Sequence, residues 1–283
     1  MVSIEEKYND NTVEELKYLT KLTYHAKDYK KCRELFRLMV TKSKLKMERQ
    51  DQYLLSSCLK TLILSENKSY DYMEKIYNKD KEISDKLKKE EQKNKDSKNE
   101  TTKSKNEMKL NFLKDKLDNF VDDIKRNIDE TNTLVDDFLK KVPYSQFEDK
   151  ILYMKLKGDF LRYKTKYYKY KEDRDRCVNQ CEKCYTEAIE LAKKNKVNLN
   201  SPILLATQLN YAVFLYEVKY DKENSVSFLT TVLSSVNTTQ NDKECLNIIK
   251  TMKENIFIWG NDTSKREVVE YKEKGYDDDI YEF

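Results

Sequence analysis

Glycine and proline are nearly missing from this chain. Its 283 residues hold three glycines, Gly158, Gly260 and Gly275, and two prolines, Pro143 and Pro202. Tight β-hairpins need Gly or Asn at positive φ, and sandwiches need many turns, so this scarcity excludes an all-β fold. So few breakers over such a length imply long helices. There is one histidine, His25, and one tryptophan, Trp259. No stretch approaches the ~20 uninterrupted apolar residues of a membrane helix. The opening Met1-Val-Ser-Ile-Glu-Glu6 lacks a basic region followed by an apolar run. The expectation is therefore a chain without a secretory signal or membrane insertion, in the cytoplasm and with the nucleus also open to it. A glycine-rich phosphate loop and a nucleophile–base signature are both lacking, so the sequence points away from an enzyme and implies no cofactor.

What the chain has is charge, at 37% of residues, against 38% apolar. That balance suits amphipathic helices with one buried and one wet face. The 55 bases and 51 acids leave a net charge of +4, not the excess of a nucleic-acid-binding surface. Lys, Asn and Tyr all have A/T-rich codons, and this bias accounts for part of the basicity. Among six cysteines, Cys177, Cys181 and Cys184 share one helical face by their i, i+4, i+7 spacing. A metal site usually needs a fourth ligand, and His25 is far away in sequence. Reduced thiols packed as small apolar groups are the better reading, and no metal is expected.

Apolar periodicity divides the chain into about nine antiparallel helices. The first begins at Thr12, where Thr12-Val-Glu-Glu15 reads as a capping box, and carries Val13, Leu16, Leu19 and Leu22. The second follows Tyr29, with Cys32, Leu35, Phe36, Met39 and Val40 inward. The third runs from about Glu48 to about Tyr77. Residues 88–107 then hold no apolar residue, which fits either a mobile charged insertion or the solvated ends of two helices. A fourth helix resumes near Met108 and ends at Val142-Pro143. Further helices cover about Gln146–Lys171, Asp173–Lys194, a segment capped by Ser201 with Pro202 at its first position, Lys222–Val236 and Asp242–Trp259, where Gly260 is placed to stop the last. The division is a helical domain over residues 1–262 and a flexible acidic tail over 263–283.

Three stretches put polar residues on faces that otherwise read as core. They are Tyr153-Met-Lys-Leu-Lys-Gly-Asp-Phe-Leu-Arg-Tyr163, Leu209-Asn-Tyr-Ala-Val-Phe-Leu-Tyr-Glu217 and Lys253-Glu-Asn-Ile-Phe-Ile-Trp259. Lys155, Asp159 and Arg162 line one stripe at i, i+4, i+7. Taken alone, these charges could simply pair on a wet face. Cations on one helix with amides on two others also make a cradle for an anionic, extended peptide.

Together with His25-Ala-Lys-Asp-Tyr29 and Leu54-Leu-Ser-Ser-Cys-Leu-Lys60, these ordered stretches resemble the 14-3-3 phosphopeptide-binding family, over roughly residues 12 to 262. The resemblance implies an all-α fold of nine helices around a concave amphipathic groove. It implies a non-enzymatic adaptor, usually a homodimer or heterodimer, holding phosphoserine or phosphothreonine segments of phosphorylated client proteins. Lys60, Arg162 and Tyr163 match the family's phosphate-binding residues. Lys155, Leu209, Asn210, Val213, Glu217, Ile248, Asn255 and Trp259 match its peptide-binding positions. Three departures stand out. The family's arginine seven residues after the lysine is Asn67 here, with Lys68 about 100° further around the helix. Two apolar positions near the end read Asn247 and Thr251. The chain is basic where the family is acidic. A scaffold that binds partners without phosphate is the alternative these departures favour. The tail, with Thr263, Ser264 and the acidic Asp277, Asp278, Asp279 and Glu282, is a further expected partner of the groove.

Overall fold

A computed structural model describes residues 4–42, 48–93, 100–143, 145–237 and 243–261. All regular structure among these is helical. The elements are α1 (Ile4–Tyr8), α2 (Val13–His25), α3 (Tyr29–Lys42), α4 (Arg49–Lys93), α5 (Glu100–Lys141), α6 (Phe147–Lys164), a 3-10 turn (Thr165–Tyr167), α7 (Lys171–Lys194), α8 (Pro202–Glu217), α9 (Lys222–Ser235) and α10 (Lys243–Asn261). The all-α reading holds; the nine helices expected correspond to α2–α10, and the short α1 precedes them. The tail over 263–283 lies outside the described residues.

The chain divides into two compact units. One comprises Met1–Leu59 with Glu130–Phe283, the other Lys60–Asp129. In the first, α6 packs against both α7 and α8, and α8 also packs against α9 and α10. Helices surrounded in this way must be apolar on nearly every side. Helix α6 buries Ile151, Leu152, Leu156, Phe160 and Leu161, and α8 buries Leu204, Leu205, Leu209, Val213, Phe214 and Leu215. A polar residue buried on these two helices must find an internal partner, because water cannot reach it. That constraint shapes the site described below.

The capping box at Thr12 forms as expected. Thr12 N donates to Glu15 Oε2 at 2.8 Å, and Glu15 N donates to Thr12 Oγ1 at 3.3 Å. The hydrogen-bonded backbone and hydroxyl of Thr12 hold the Glu15 carboxyl below its usual range. The turns solve the shortage of glycine differently. Lys27 and Lys196 take the left-handed position, at φ 60° and 50°. Around Lys27, Asp28 N donates to Thr23 O and Lys27 N to Tyr24 O; around Lys196, Val197 N donates to Ala192 O and Lys196 N to Lys193 O. Both are the paired bonds of a Schellman cap, formed without its usual Gly. Tyr220, at φ 60°, does similar duty between α8 and α9.

Several boundaries differ from the sequence reading. Helix α4 continues to Lys93 and α5 starts at Glu100, so residues 88–93 and 100–107 are the ends of two helices, and 94–99 lie outside the described residues. In this second unit the two helices run antiparallel. Asn127 Nδ2 donates to Glu66 Oε1 at 2.6 Å, Lys109 pairs with Asp80 at 2.8 Å and Lys88 with Glu107 at 3.1 Å. Strong helix formers and cross-pairs carry helices that have run out of apolar residues. Helix α6 stops at Lys164, seven residues early, because Tyr168 turns extended at φ −89°, ψ 126° after the 3-10 turn. Ser201 begins α8 without capping it by its side chain. Its hydroxyl bonds Glu148 Oε1 at 3.1 Å instead. Gly260 is within α10, which reaches Asn261.

Candidate functional site

Lys155 and Asp159 of α6, Tyr185 of α7 and Asn210 of α8 form one connected polar cluster in the first unit. Lys155 Nζ lies 3.1 Å from Asp159 Oδ2, both side chains only 1% exposed. Asp159 Oδ1 accepts from Tyr185 OH on α7 at 2.6 Å and from Asn210 Nδ2 on α8 at 2.7 Å. A buried carboxylate is thereby supplied with a cation and two donors, the condition for tolerating it in a dry interior. Burial, with the neighbouring Asp159 charge, raises the Tyr185 phenol far above its ordinary range, so it stays a proton donor.

Gly158 makes this packing possible. A methyl group added there would stand 2.9 Å from the Tyr185 ring. Only a residue without Cβ lets the ring lie against α6 and reach Asp159. Two thiols seal the same contact: Cys181 Sγ donates to Gly158 O at 3.2 Å and Cys177 Sγ to Leu161 O at 3.5 Å.

One turn beyond Asp159, Arg162 forms a charge-assisted hydrogen bond from Nη1 to Glu217 Oε2 at the end of α8. Its guanidinium carbon lies 4.7 Å from the ring centroid of half-buried Tyr163. The two ends of the pair differ in access. The Arg162 side chain is 5% exposed and that of Glu217 is 32% exposed. Glu217 is thus an anion that an incoming anion could displace, leaving Arg162 to offer its planar fork.

The apolar wall beside these charges comes from α8 and α10. Leu209, Val213, Ile248 and Trp259 belong to one buried cluster. Trp259 stacks on Tyr216, ring centroids 4.6 Å apart and planes 10° from parallel. Its indole Nε1, though fully buried, finds no hydrogen-bond acceptor among the described residues. Asn255 is fully buried on the same helix. Of the two departures on α10, Asn247 is exposed, and Thr251 is buried with its hydroxyl donating to Asn247 O at 3.0 Å.

A family model for the 14-3-3 protein matches residues 19–260. The chain belongs to the 14-3-3 family. Members of that family are non-enzymatic adaptors that bind client proteins and dimerise.

As a 14-3-3 protein, this chain brings Lys155, Arg162, Tyr163, Asn210 and Glu217 onto two packed helices, with Leu209, Val213, Ile248, Asn255 and Trp259 on α8 and α10. Lys60 is on the part of α4 that belongs to the second unit, where it is half-buried; Asn67 is half-buried there too and Lys68 exposed. The sequence reading did not name Tyr185. Its signal was available, since Tyr185 continues the face of Cys177 and Cys181 at i+8 and i+4. No group of three metal-ligating side chains occurs among the described residues, and no described helix is long and apolar enough to cross a membrane. Burial pushes the Cys184 thiol up to about 11 and the Cys181 thiol well above its ordinary range, which disfavours the thiolate of both.

Proposed function

We propose that this 14-3-3 protein binds phosphoserine or phosphothreonine peptides of client proteins through Arg162 and Tyr163, with Lys60 as a further phosphate ligand. The observation that carries the reading is the Arg162–Glu217 pair: a nearly buried guanidinium held by a partly exposed carboxylate. A phosphate dianion replaces that carboxylate with more charge and a better fit to the fork. Asn210, Asn255 and the Trp259 indole hold the peptide backbone, and Leu209, Val213 and Ile248 line its path. Lys155 acts at one remove, by fixing Asp159 and through it Asn210. Lys60 enters the reading through the family resemblance alone. Asn67 makes the pocket one cation poorer than the family's.

A second reading, a scaffold that binds partners without phosphate, is favoured by Asn67 and by the closed Lys155–Asp159 pair. Calorimetric titration with a phosphoserine peptide and its unphosphorylated twin separates the two. The first reading expects the phosphorylated form to bind at least about tenfold more tightly, as for one charged hydrogen bond. Equal affinities support the scaffold.

Pairing of two copies through the first four expected helices, α2–α5, belongs to the same proposal. On α2, Leu16 is fully buried, whereas Tyr18 and Leu22 are 68% and 53% exposed and offer a contact face. The acidic tail is proposed as an intramolecular competitor for the peptide site, and action in the cytoplasm completes the reading.

A further inference from the structure

The connection between α6 and α7 is an arch with both feet on the end of α8. At one foot, Arg162 pairs with Glu217. At the other, Arg174 Nη2 donates to Val218 O at 3.0 Å, and its guanidinium carbon lies 5.7 Å from the ring centroid of Tyr220. Between them, Tyr167 is buried and Tyr168 packs against the cluster of Leu161, Phe214 and Val218. The Thr165 hydroxyl donates to Arg162 O at 2.7 Å. These contacts fix the arch beside the Arg162–Glu217 pair.

The arch is basic. Residues 160–171 hold Arg162, Lys164, Lys166, Lys169 and Lys171 and no acid. Lys164 is buried, with Nζ 5.7 Å from the ring centroid of Tyr168. Lys166, Lys169 and Lys171 are exposed. Several neighbouring acids have partners of their own. Glu217 takes Arg162, Asp173 takes Arg176, Glu182 takes Lys219 at 2.9 Å, and Asp221 accepts from Asn224 N at 3.1 Å. Glu172 and Asp175 come after the arch, on α7. The exposed rim of the arch is therefore positive.

We infer that Lys166 gives the site a preference for client peptides with an acidic side chain two residues from the phosphorylated one. This role rests on Arg162 taking the phosphate, as proposed above. Lys166 follows Arg162 by four residues, about one helical turn or about 6 Å along the chain axis. In an extended peptide, side chains two residues apart share a face and stand about 6.6 Å from each other. A phosphate on Arg162 therefore brings such an acid within reach of Lys166. Its Nζ lies 5.8 Å from the ring centroid of buried Tyr167, so the cation stands over an anchored part of the arch. Lys169 and Lys171 add to the same positive field. The arch belongs to α6, α7 and α8, none of them among the helices proposed for pairing.

Calorimetric titration of the full chain tests this with a set of phosphoserine peptides, each beside its unphosphorylated twin. One peptide has neutral flanks, two carry Glu two residues before or after the phosphoserine, and one carries Glu five residues away. Glu at one of the two near positions should tighten binding about two- to fivefold, the size of an exposed ion pair. That gain should fade as salt rises from about 0.05 to about 0.5 M. Lys166→Ala should remove it, Lys166→Arg should keep it, and Lys166→Glu should turn it into a loss. Position 166 is exposed, so circular dichroism should show unchanged helix content in all three variants. No gain at either near position, an equal gain from the distant Glu, or a gain that survives Lys166→Ala overturns the role of Lys166. In each of those outcomes phosphate recognition still stands if the phosphopeptides outbind their twins. Phosphopeptides that bind no better than their twins overturn the phosphate reading, and the role of Lys166 with it.

Discussion

Helix α6 and the outer half of α4 carry similar charges at similar spacing, yet the two regions treat them in opposite ways. On α6, Lys155 and Asp159 pair i, i+4 with both side chains 1% exposed. On α4, Asp80 pairs with Lys109 of α5, with side chains 20% and 60% exposed. The difference lies in the neighbours. Helix α6 is packed by α7 and α8, so its charges are dried and must satisfy each other. On the hairpin the Asp80–Lys109 pair keeps its cation largely in water and its carboxylate partly so. Charge in the sequence therefore says little until the number of packed neighbours is known.

The comparison breaks first at Asp159. Asp159→Ala leaves Lys155 as an uncompensated buried cation and should cost roughly 3–5 kcal/mol in urea unfolding. A loss under about 1 kcal/mol would show that Lys155 reaches water and that the cluster is not closed. Next comes Gly158→Ala, which forces the Tyr185 ring away from α6 and should destabilise by about 1–3 kcal/mol. Unchanged stability would mean that α7 shifts without strain. Restoring the family's cation by Asn67→Arg should tighten phosphopeptide binding by about tenfold, one charged hydrogen bond, with the unphosphorylated twin unaffected. No gain in the titration would mean that Lys68 already supplies the charge. The smallest effect belongs to the wet region. Asp80→Ala should cost no more than about 1 kcal/mol, as exposed pairs do. A loss equal to that of Asp159→Ala would erase the distinction between the two regions.

The fold was legible where a local signal has one meaning. Thr12-Val-Glu-Glu15 reads as a capping box and forms one. The stripes of α2 and α3 read as buried where Leu16, Cys32, Leu35 and Phe36 are buried. Turns were harder, because Lys27, Lys196 and Tyr220 hold left-handed positions for which Gly or Asn is the usual sign. For 88–107 the lack of apolar residues leaves two readings open, a mobile insertion or the ends of two helices, because a sequence does not show the cross-pairs that sustain the ends of α4 and α5. Within the site, Arg162, Asn210 and Glu217 could be named from spacing and resemblance. Their connections could not: Tyr185 joins Asp159 from a helix whose register over α6 depends on Gly158. Spacing along one helix cannot show which neighbour completes a buried bond.

The central claim is that Arg162 recognises phosphate. The most direct test is a double cycle of four titrations: the unmodified chain and Arg162→Ala, each with a phosphoserine peptide and its unphosphorylated twin. The account predicts a coupling of roughly 1.5–3 kcal/mol, with Arg162→Ala weakening the phosphorylated peptide and sparing the twin. A coupling near zero, with both peptides weakened alike or neither affected, would contradict it.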